Sequence, residues 1–212
     1  MQIMELMVEI NTIKSRFLNN IFDQNTYVLS QDDECIIIDA GAEIDDVKGE
    51  VGEKKVLAVL LTHAHFDHIW NLQKYIEEFD CDVFVCENED VRFNDCKLNA
   101  SFIVRLDVRQ KIDAKKIKYY AEKLELGKFV IQVFRTMGHT SDCVCLLIED
   151  KLFTGDTVFA DGVGRTDLVD SNPFELIKSL KTIENIKFST AYPGHYEPAA
   201  KKQIVETIEC YI

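Results

Sequence analysis

The sequence predicts an α/β protein in which sheets are covered by helices, and three observations carry the prediction. Short apolar runs of strand length recur along both halves of the 212-residue chain. Between them lie segments whose apolar residues repeat at helical spacing. Proline is confined to Pro173, Pro193 and Pro198, and no linker, repeat or low-complexity tract interrupts the pattern. A chain of this length can bury a substantial core without staples, so residues 1–212 read as a single domain.

The N-terminal third reads as strands at Met7–Ile13, Thr26–Leu29 and Cys35–Ile38, each apolar or β-branched and bounded by polar turn material. The third of these delivers Asp39 to a glycine turn at Gly41. Another apolar run, Val56–Leu61, leads directly into a histidine cluster and then into Trp70–Phe79. There Leu72, Tyr75, Ile76 and Phe79 have the spacing of a helix face. Val83–Val85 continues as a strand, and the stretch from Asn88 to about Leu126 reads as an irregular mixture of helix and loop. Beyond Gly127 come strands at Phe129–Phe134, Cys143–Ile148 and Lys151–Phe153, a helix over Pro173–Ile183, a strand at Ser189–Tyr192 and a helix over Ala199–Cys210.

Hydrophobic residues make up 47% and charged residues 29% of the chain, the balance of a soluble globular protein. A formal net charge of −13 works against nucleic acid and anionic membrane as partners. No apolar run approaches the ~18 residues of a membrane span. Met1–Ile10 carries Glu5 and Glu9, with no basic n-region or cleavage site, so the expected location is cytoplasmic. Cys35, Cys81, Cys86, Cys96, Cys143, Cys145 and Cys210 form no CxxC pair and read as reduced, structural thiols.

The chemistry is concentrated in Thr62-His63-Ala64-His65-Phe66-Asp67-His68, three imidazoles and a carboxylate directly after an apolar strand. Neutral imidazole and carboxylate suit zinc, iron, manganese and related ions, and a turn at a strand end can aim several of them at one locus. The chain holds five histidines, and the other two sit in Gly138-His139-Thr140 and Pro193-Gly194-His195. Taken singly, either would more often be a hydrogen-bonded structural residue. Together, ligand number and spacing point to a metal site. Phe153-Thr154-Gly155-Asp156-Thr157 runs a strand into a turn that can add one more carboxylate.

These motifs, HxHxDH, GH, TGD and PGH in this order, resemble the metallo-β-lactamase superfamily over the span from Asp39 to His195. The resemblance implies an αββα four-layer sandwich and two divalent transition-metal ions, zinc first, with iron or manganese also admitted. It implies that His63, His65 and His139 hold one ion, that Asp67, His68 and His195 hold the other, and that Asp156 bridges them. Asp67 and Asp156 would also orient the water that the ions activate. Asp39 matches a position behind the ligands, where a carboxylate can accept an imidazole N–H and fix its tautomer. A plain strand-to-turn cap is the alternative.

Gly162–Leu168 resembles the glyoxalase II-like (hydroxyacylglutathione hydrolase-like) branch and its neighbours, the persulfide dioxygenases. That branch has lysine where Arg165 stands and tyrosine where Asp167 stands. Arg165 keeps the charge and is a candidate substrate residue, with an internal Arg165–Asp167 ion pair as the alternative. The sequence ends soon after the helix near Ala199, without the helical C-terminal domain of glyoxalase II. Met137, Ser141 and Asp142 stand where many relatives carry proline and Pro-Gly, a change of loop stiffness rather than of ligation.

Two cations sharing a water lower its pKa from about 15.7 toward ~7, which supplies a nucleophile at neutral pH. The leading expectation is therefore a binuclear hydrolase acting on a small-molecule acyl substrate, a thioester first, or another ester or lactone. The alternatives are an iron-dependent persulfide dioxygenase with one iron, and a non-catalytic metal-binding protein. The full set of seven candidate ligands argues against the last. Between Lys97 and Lys118 seven basic residues face Asp107 and Asp113 alone. This segment reads as a solvated helix face, or as a lid that could attract an anionic substrate tail.

Overall fold

Successive residues of the central strands are buried on opposite sides, so each sheet needs cover on both faces. The computed structural model describes residues 8–16, 23–86 and 89–212. Met7 and Asn88, placed by sequence in a strand and in the irregular stretch, lie outside them.

The first sheet comprises β1 (Glu9–Lys14), β2 (Asn25–Gln31), β3 (Glu34–Ile38), β4 (Lys55–Leu60), β5 (Asp82–Val85) and β6 (Ile117–Tyr119), hydrogen-bonded in that order. β1, β2 and β3 are antiparallel; β3 to β6 are parallel. Val28, Ile37 and Val59 project outward to meet Val47 and Val51 of α1 (Ile44–Val51) and Leu72, Tyr75 and Ile76 of α2 (Leu72–Phe79). Their neighbours Tyr27, Leu29, Ile36, Ile38 and Leu60 project inward.

The second sheet is β7 (Lys123–Leu126), β8 (Phe129–Arg135), β9 (Val144–Ile148), β10 (Lys151–Gly155), β11 (Thr190–Pro193) and β12 (Ala199–Ala200). It is antiparallel except for the β10–β11 pair. Phe129, Ile131, Val144, Leu146 and Phe153 meet the inward face of the first sheet. On the far side Cys145, Leu147 and Leu152 pack under α3 (Pro173–Asn185) and α4 (Lys201–Tyr211) through Leu176, Leu180, Ile183, Ile204 and Ile208. The layers are therefore α, β, β, α, the sandwich that the sequence resemblance implies. The Asn172 side chain caps α3 by accepting from the Phe174 and Glu175 amides, with Pro173 at the first turn.

Several elements differ from the sequence reading, each for a local reason. α1 was not anticipated because its eight residues bury two side chains, Val47 and Val51, and include Gly49. β6 is a three-residue edge strand inside the charged stretch, and β7 alternates Lys-Leu-Glu-Leu over four residues. The rest of the irregular stretch holds 3-10 turns at Glu89–Asn94 and Ser101–Val104, so the basic segment is no helix face. Three of its seven basic residues pair locally or with the region following α2: Arg109 with Asp107, Lys116 with Asp80 and Lys118 with Asp82. Ala199 and Ala200 pair with Ala191 and Thr190 before α4 begins at Lys201. All seven cysteines are free. Among the described residues no helix is long and apolar enough to cross a membrane.

Candidate metal centre

Each segment bearing a predicted ligand follows the carboxyl end of a strand: β3 runs into Asp39, β4 into His63–His68, β8 into His139, β10 into Asp156 and β11 into His195. Register brings these ends together. Ile38 lies opposite Leu60, and the Asp39 amide donates to the Leu60 carbonyl at 3.0 Å, so Asp39 stands beside the start of the histidine cluster. Gly155 lies opposite Pro193, which sets Asp156 next to His195. The Val144 amide donates to the Thr62 carbonyl at 2.9 Å and ties the two sheets together at this end.

The His139 loop is seated on α3. Gly138 has φ 142°, and a Cβ there would lie 2.4 Å from the Leu176 backbone. The Asn172 amide donates to the Gly138 carbonyl at 2.8 Å, and Ser171 Oγ donates to the His139 carbonyl at 2.8 Å. No side chain fits at position 138 without lifting the loop that carries His139.

Seven predicted ligands meet in one place. His65 Nδ1 lies 3.1 Å from His63 Nε2 and 2.9 Å from His139 Nε2. His195 Nε2 lies 3.2 Å from Asp67 Oδ2 and 3.5 Å from Asp156 Oδ2, while His68 Nε2 is 3.4 Å from Asp156 Oδ1. Three groups of potential ligand atoms result, each with its atoms within 4.8 Å of one another: His63, His65 and His139; Asp67, His68 and His195; and His63, His68 and Asp156, which links the other two.

Hydrogen bonds on the far side of the rings fix the tautomers. His68 Nδ1–H donates to Asp39 Oδ2 at 2.7 Å, and His139 Nδ1–H donates to the Arg165 carbonyl at 2.9 Å. Thr62 Oγ donates to Asp39 Oδ2 at 2.8 Å, which leaves its oxygen to accept from His63 Nδ1–H at 3.2 Å. The Nε2 lone pairs of His63, His68 and His139 therefore point inward. Asp39, with φ 59°, also accepts the Thr62 amide at 2.8 Å, so one buried carboxylate both orients His68 and holds the strand-end turn.

Electrostatics divide the imidazoles into two sets. Burial and neighbouring imidazoles hold His63 and His65 well below the usual histidine range. Burial also opposes charge on His68, but Asp39 and Asp156 outweigh it and push its pKa up to about 10. Burial is likewise outweighed at His195, which Asp156 and Asp67 push up to about 11. Asp156 is driven well below the carboxylate range by His195 and His68, against the opposing effect of burial.

Within this cluster His68 Nε2 and Asp156 Oδ1 are buried and make no hydrogen bond. Converging ring nitrogens beside ionised carboxylates suit divalent cations, which take the place of the protons on His68 and His195. The residues thus fit the metals that the resemblance implies.

Three contributions escaped sequence reasoning. Thr62 is one. Asp142 is another: its Oδ2 accepts the Ala64 amide at 3.1 Å, between two candidate ligands, and its Oδ1 lies 3.2 Å from Arg92 Nε. Arg92, itself buried, also pairs with Asp170 and donates to Ser141 Oγ at 2.7 Å, joining the His139 loop to the 3-10 turn. Gly194 is the third, because a Cβ there would lie 2.3 Å from Asp156 Oδ1 and 2.5 Å from His68 Cε1. The unusual Ser141-Asp142 beside His139 is the one signal in the sequence, and its effect reaches beyond loop stiffness to the amide between two candidate ligands.

In front of the cluster opens a cavity of about 400 Å³, whose lining includes Asp23, Phe66, Phe159, Arg165 and Tyr196. Arg165 faces it, but its Nε and Nη2 each lie 2.7 Å from a carboxylate oxygen of Asp167. None of the seven basic residues between 97 and 118 lines it; Ala100 and Ile103 do.

Comparison with known proteins agrees with this architecture. The family model described as the Metallo-beta-lactamase superfamily matches residues 20–195. The chain belongs to the metallo-beta-lactamase superfamily. It is 36% identical over 163 residues to "Probable metallo-hydrolase YqgX" of Bacillus subtilis (strain 168), covering 74% of this chain and 76% of that protein. Among solved structures, BLEG-1 B3 metallo-beta-lactamase superposes with a TM-score of 0.84 at 27% identity, covering 93% of this chain and 97% of its own. TTHA1623, solved in a di-iron-bound form, shares the fold with a TM-score of 0.79 at 24% identity, covering 93% and 98%.

Proposed function

We propose that the protein is a binuclear metal-dependent hydrolase of a small acyl substrate, a thioester first, with other esters or lactones in the same class. The observation that carries the reading is the pair of complete three-residue groups joined by Asp156. His63, His65 and His139 would hold one ion, Asp67, His68 and His195 the second, and Asp156 would be shared. When bound, two cations would supply a water of lowered pKa and polarise a carbonyl.

The chain's own residues do the rest. Asp67 and Asp156, carboxylates that line the cavity, would accept hydrogen bonds from the attacking water and so orient it. Asp39, Thr62 and the Arg165 carbonyl hold three imidazoles in the ligating tautomer. Thioester preference is supported by the likeness of Gly162–Leu168 to the glyoxalase II-like branch. YqgX, described as a "Probable metallo-hydrolase", and TTHA1623, solved in a di-iron-bound form, are consistent with the same reading. The alternative, an iron-dependent persulfide dioxygenase, keeps a similar HxHxDH around one iron, so the number of ions bound separates the two readings.

Chelation followed by metal return tests the proposal. Thioester turnover is expected to vanish on chelation and to return with zinc, iron or manganese. Metal uptake should strengthen as pH rises. His68 and His195, held at about 10 and about 11 without metal, carry protons at neutral pH that an ion must displace. Turnover that survives complete metal removal contradicts the reading.

A further inference from the structure

The cavity is small, with apolar walls beside the polar cluster of candidate ligands. Its volume of about 400 Å³ lies toward the lower end of the ~300–1,000 Å³ range of ligand pockets. Phe66, Ala100, Ile103, Phe159, Leu168 and Tyr196 form walls around the two catalytic carboxylates. Phe66, Ala100 and Leu168 belong to one packed cluster with Val108 and Trp70, so that wall is firmly backed.

Charge at the mouth is arranged differently from what an anionic substrate needs. Arg165 is the one lysine or arginine among the described residues lining the cavity, and Asp167 occupies its guanidinium with two hydrogen bonds. Asp23 adds a carboxylate, and the nearby Lys14 lies 2.9 Å from Glu197. A substrate carboxylate at Arg165 finds its Nε and Nη2 already engaged and meets Asp167 beside it as a like charge, on a chain whose net charge is already −13. An uncharged substrate pays neither penalty.

We propose that this site, on the hydrolase reading above, takes an uncharged substrate with an apolar acyl group, and that the Arg165–Asp167 pair selects against substrates with a carboxylate-bearing head. The cavity walls receive the acyl chain, and the neutralised mouth passes a head without charge.

Two thioethers with one tail separate the possibilities: S-hexyl-N-acetylcysteamine, which is neutral, and S-hexylglutathione, which carries carboxylates. Calorimetry on the metal-loaded protein is expected to show the neutral compound binding at least about tenfold more tightly. Asp167→Asn, which frees Arg165, should narrow that ratio by about tenfold. Ile103→Lys, at an exposed wall position, should narrow it without touching the ion pair. Equal or tighter binding of S-hexylglutathione to the unaltered protein, binding of neither compound, or a ratio that neither variant moves would overturn the inference. Turnover of the hexanoyl thioesters of the same two thiols tests the underlying activity separately. Selective binding of the neutral thioether with hydrolysis of neither thioester would sink the hydrolase reading and leave the selectivity standing.

Discussion

Asp156→Asn is expected to lower kcat/KM for a thioester by about 10³-fold or more while the chain stays folded. Asp156 reaches histidines of both three-residue groups. Its Oδ1 lies 3.4 Å from His68 Nε2, and its Oδ2 lies 3.6 Å from His139 Nε2 and 3.5 Å from His195 Nε2. Asparagine keeps the shape and removes the charge that both ions would share. Loss of several kcal/mol of transition-state stabilisation, at about 1.4 kcal/mol per factor of ten, gives the expected size. Folding should survive because the substitution is nearly isosteric and the sandwich core lies apart from the cluster. Steady-state kinetics with circular dichroism on the same sample check both halves. Turnover near that of the unaltered protein would remove Asp156 from the mechanism.

Gly194→Ala should produce a loss of similar kind through a single methyl group. The added Cβ would lie 2.3 Å from Asp156 Oδ1, 2.5 Å from His68 Cε1 and 3.2 Å from His68 Nε2. The backbone has little room to retreat, because the Gly194 amide donates to the Gly155 carbonyl at 2.8 Å and its carbonyl accepts the Asn25 amide at 2.7 Å. Overpacking of this kind costs about 1–3 kcal/mol in stability. The larger effect falls on the site, where we expect a fall of about 100-fold or more in turnover and a matching loss of metal from the group containing His68. Gly49→Ala in α1, with nothing within 4 Å of the new methyl, is the control and should leave both quantities unchanged. Full metal content in Gly194→Ala would show that the cluster rearranges more freely than its packing indicates.

Much of the candidate centre was legible in the sequence because ligand chemistry is local. Three histidines and an aspartate within one turn, and two more histidines beside glycines at strand ends, announce themselves without tertiary knowledge. The strands of the sandwich were legible for a similar reason: runs such as Ile36–Ile37–Ile38 are apolar at every position, as burial on both faces demands. What stayed hidden depends on partners distant along the chain. Asp142 has a role because folding sets it against the Ala64 amide and Arg92, and neither neighbour is close in sequence. The charges of the basic stretch looked available until Lys116 and Lys118 met Asp80 and Asp82. α1 and β6 are short and bury few side chains, so their apolar period never rises above the surrounding polar sequence.

The central claim is that this cluster holds two ions, and elemental analysis of metal per chain on purified, metal-replete protein tests it most directly. Close to two ions per chain are expected, with occupancy falling toward one in His68→Ala. A stoichiometry that stays at one under saturating metal, above all a single iron in a protein that consumes oxygen with a persulfide, would contradict it.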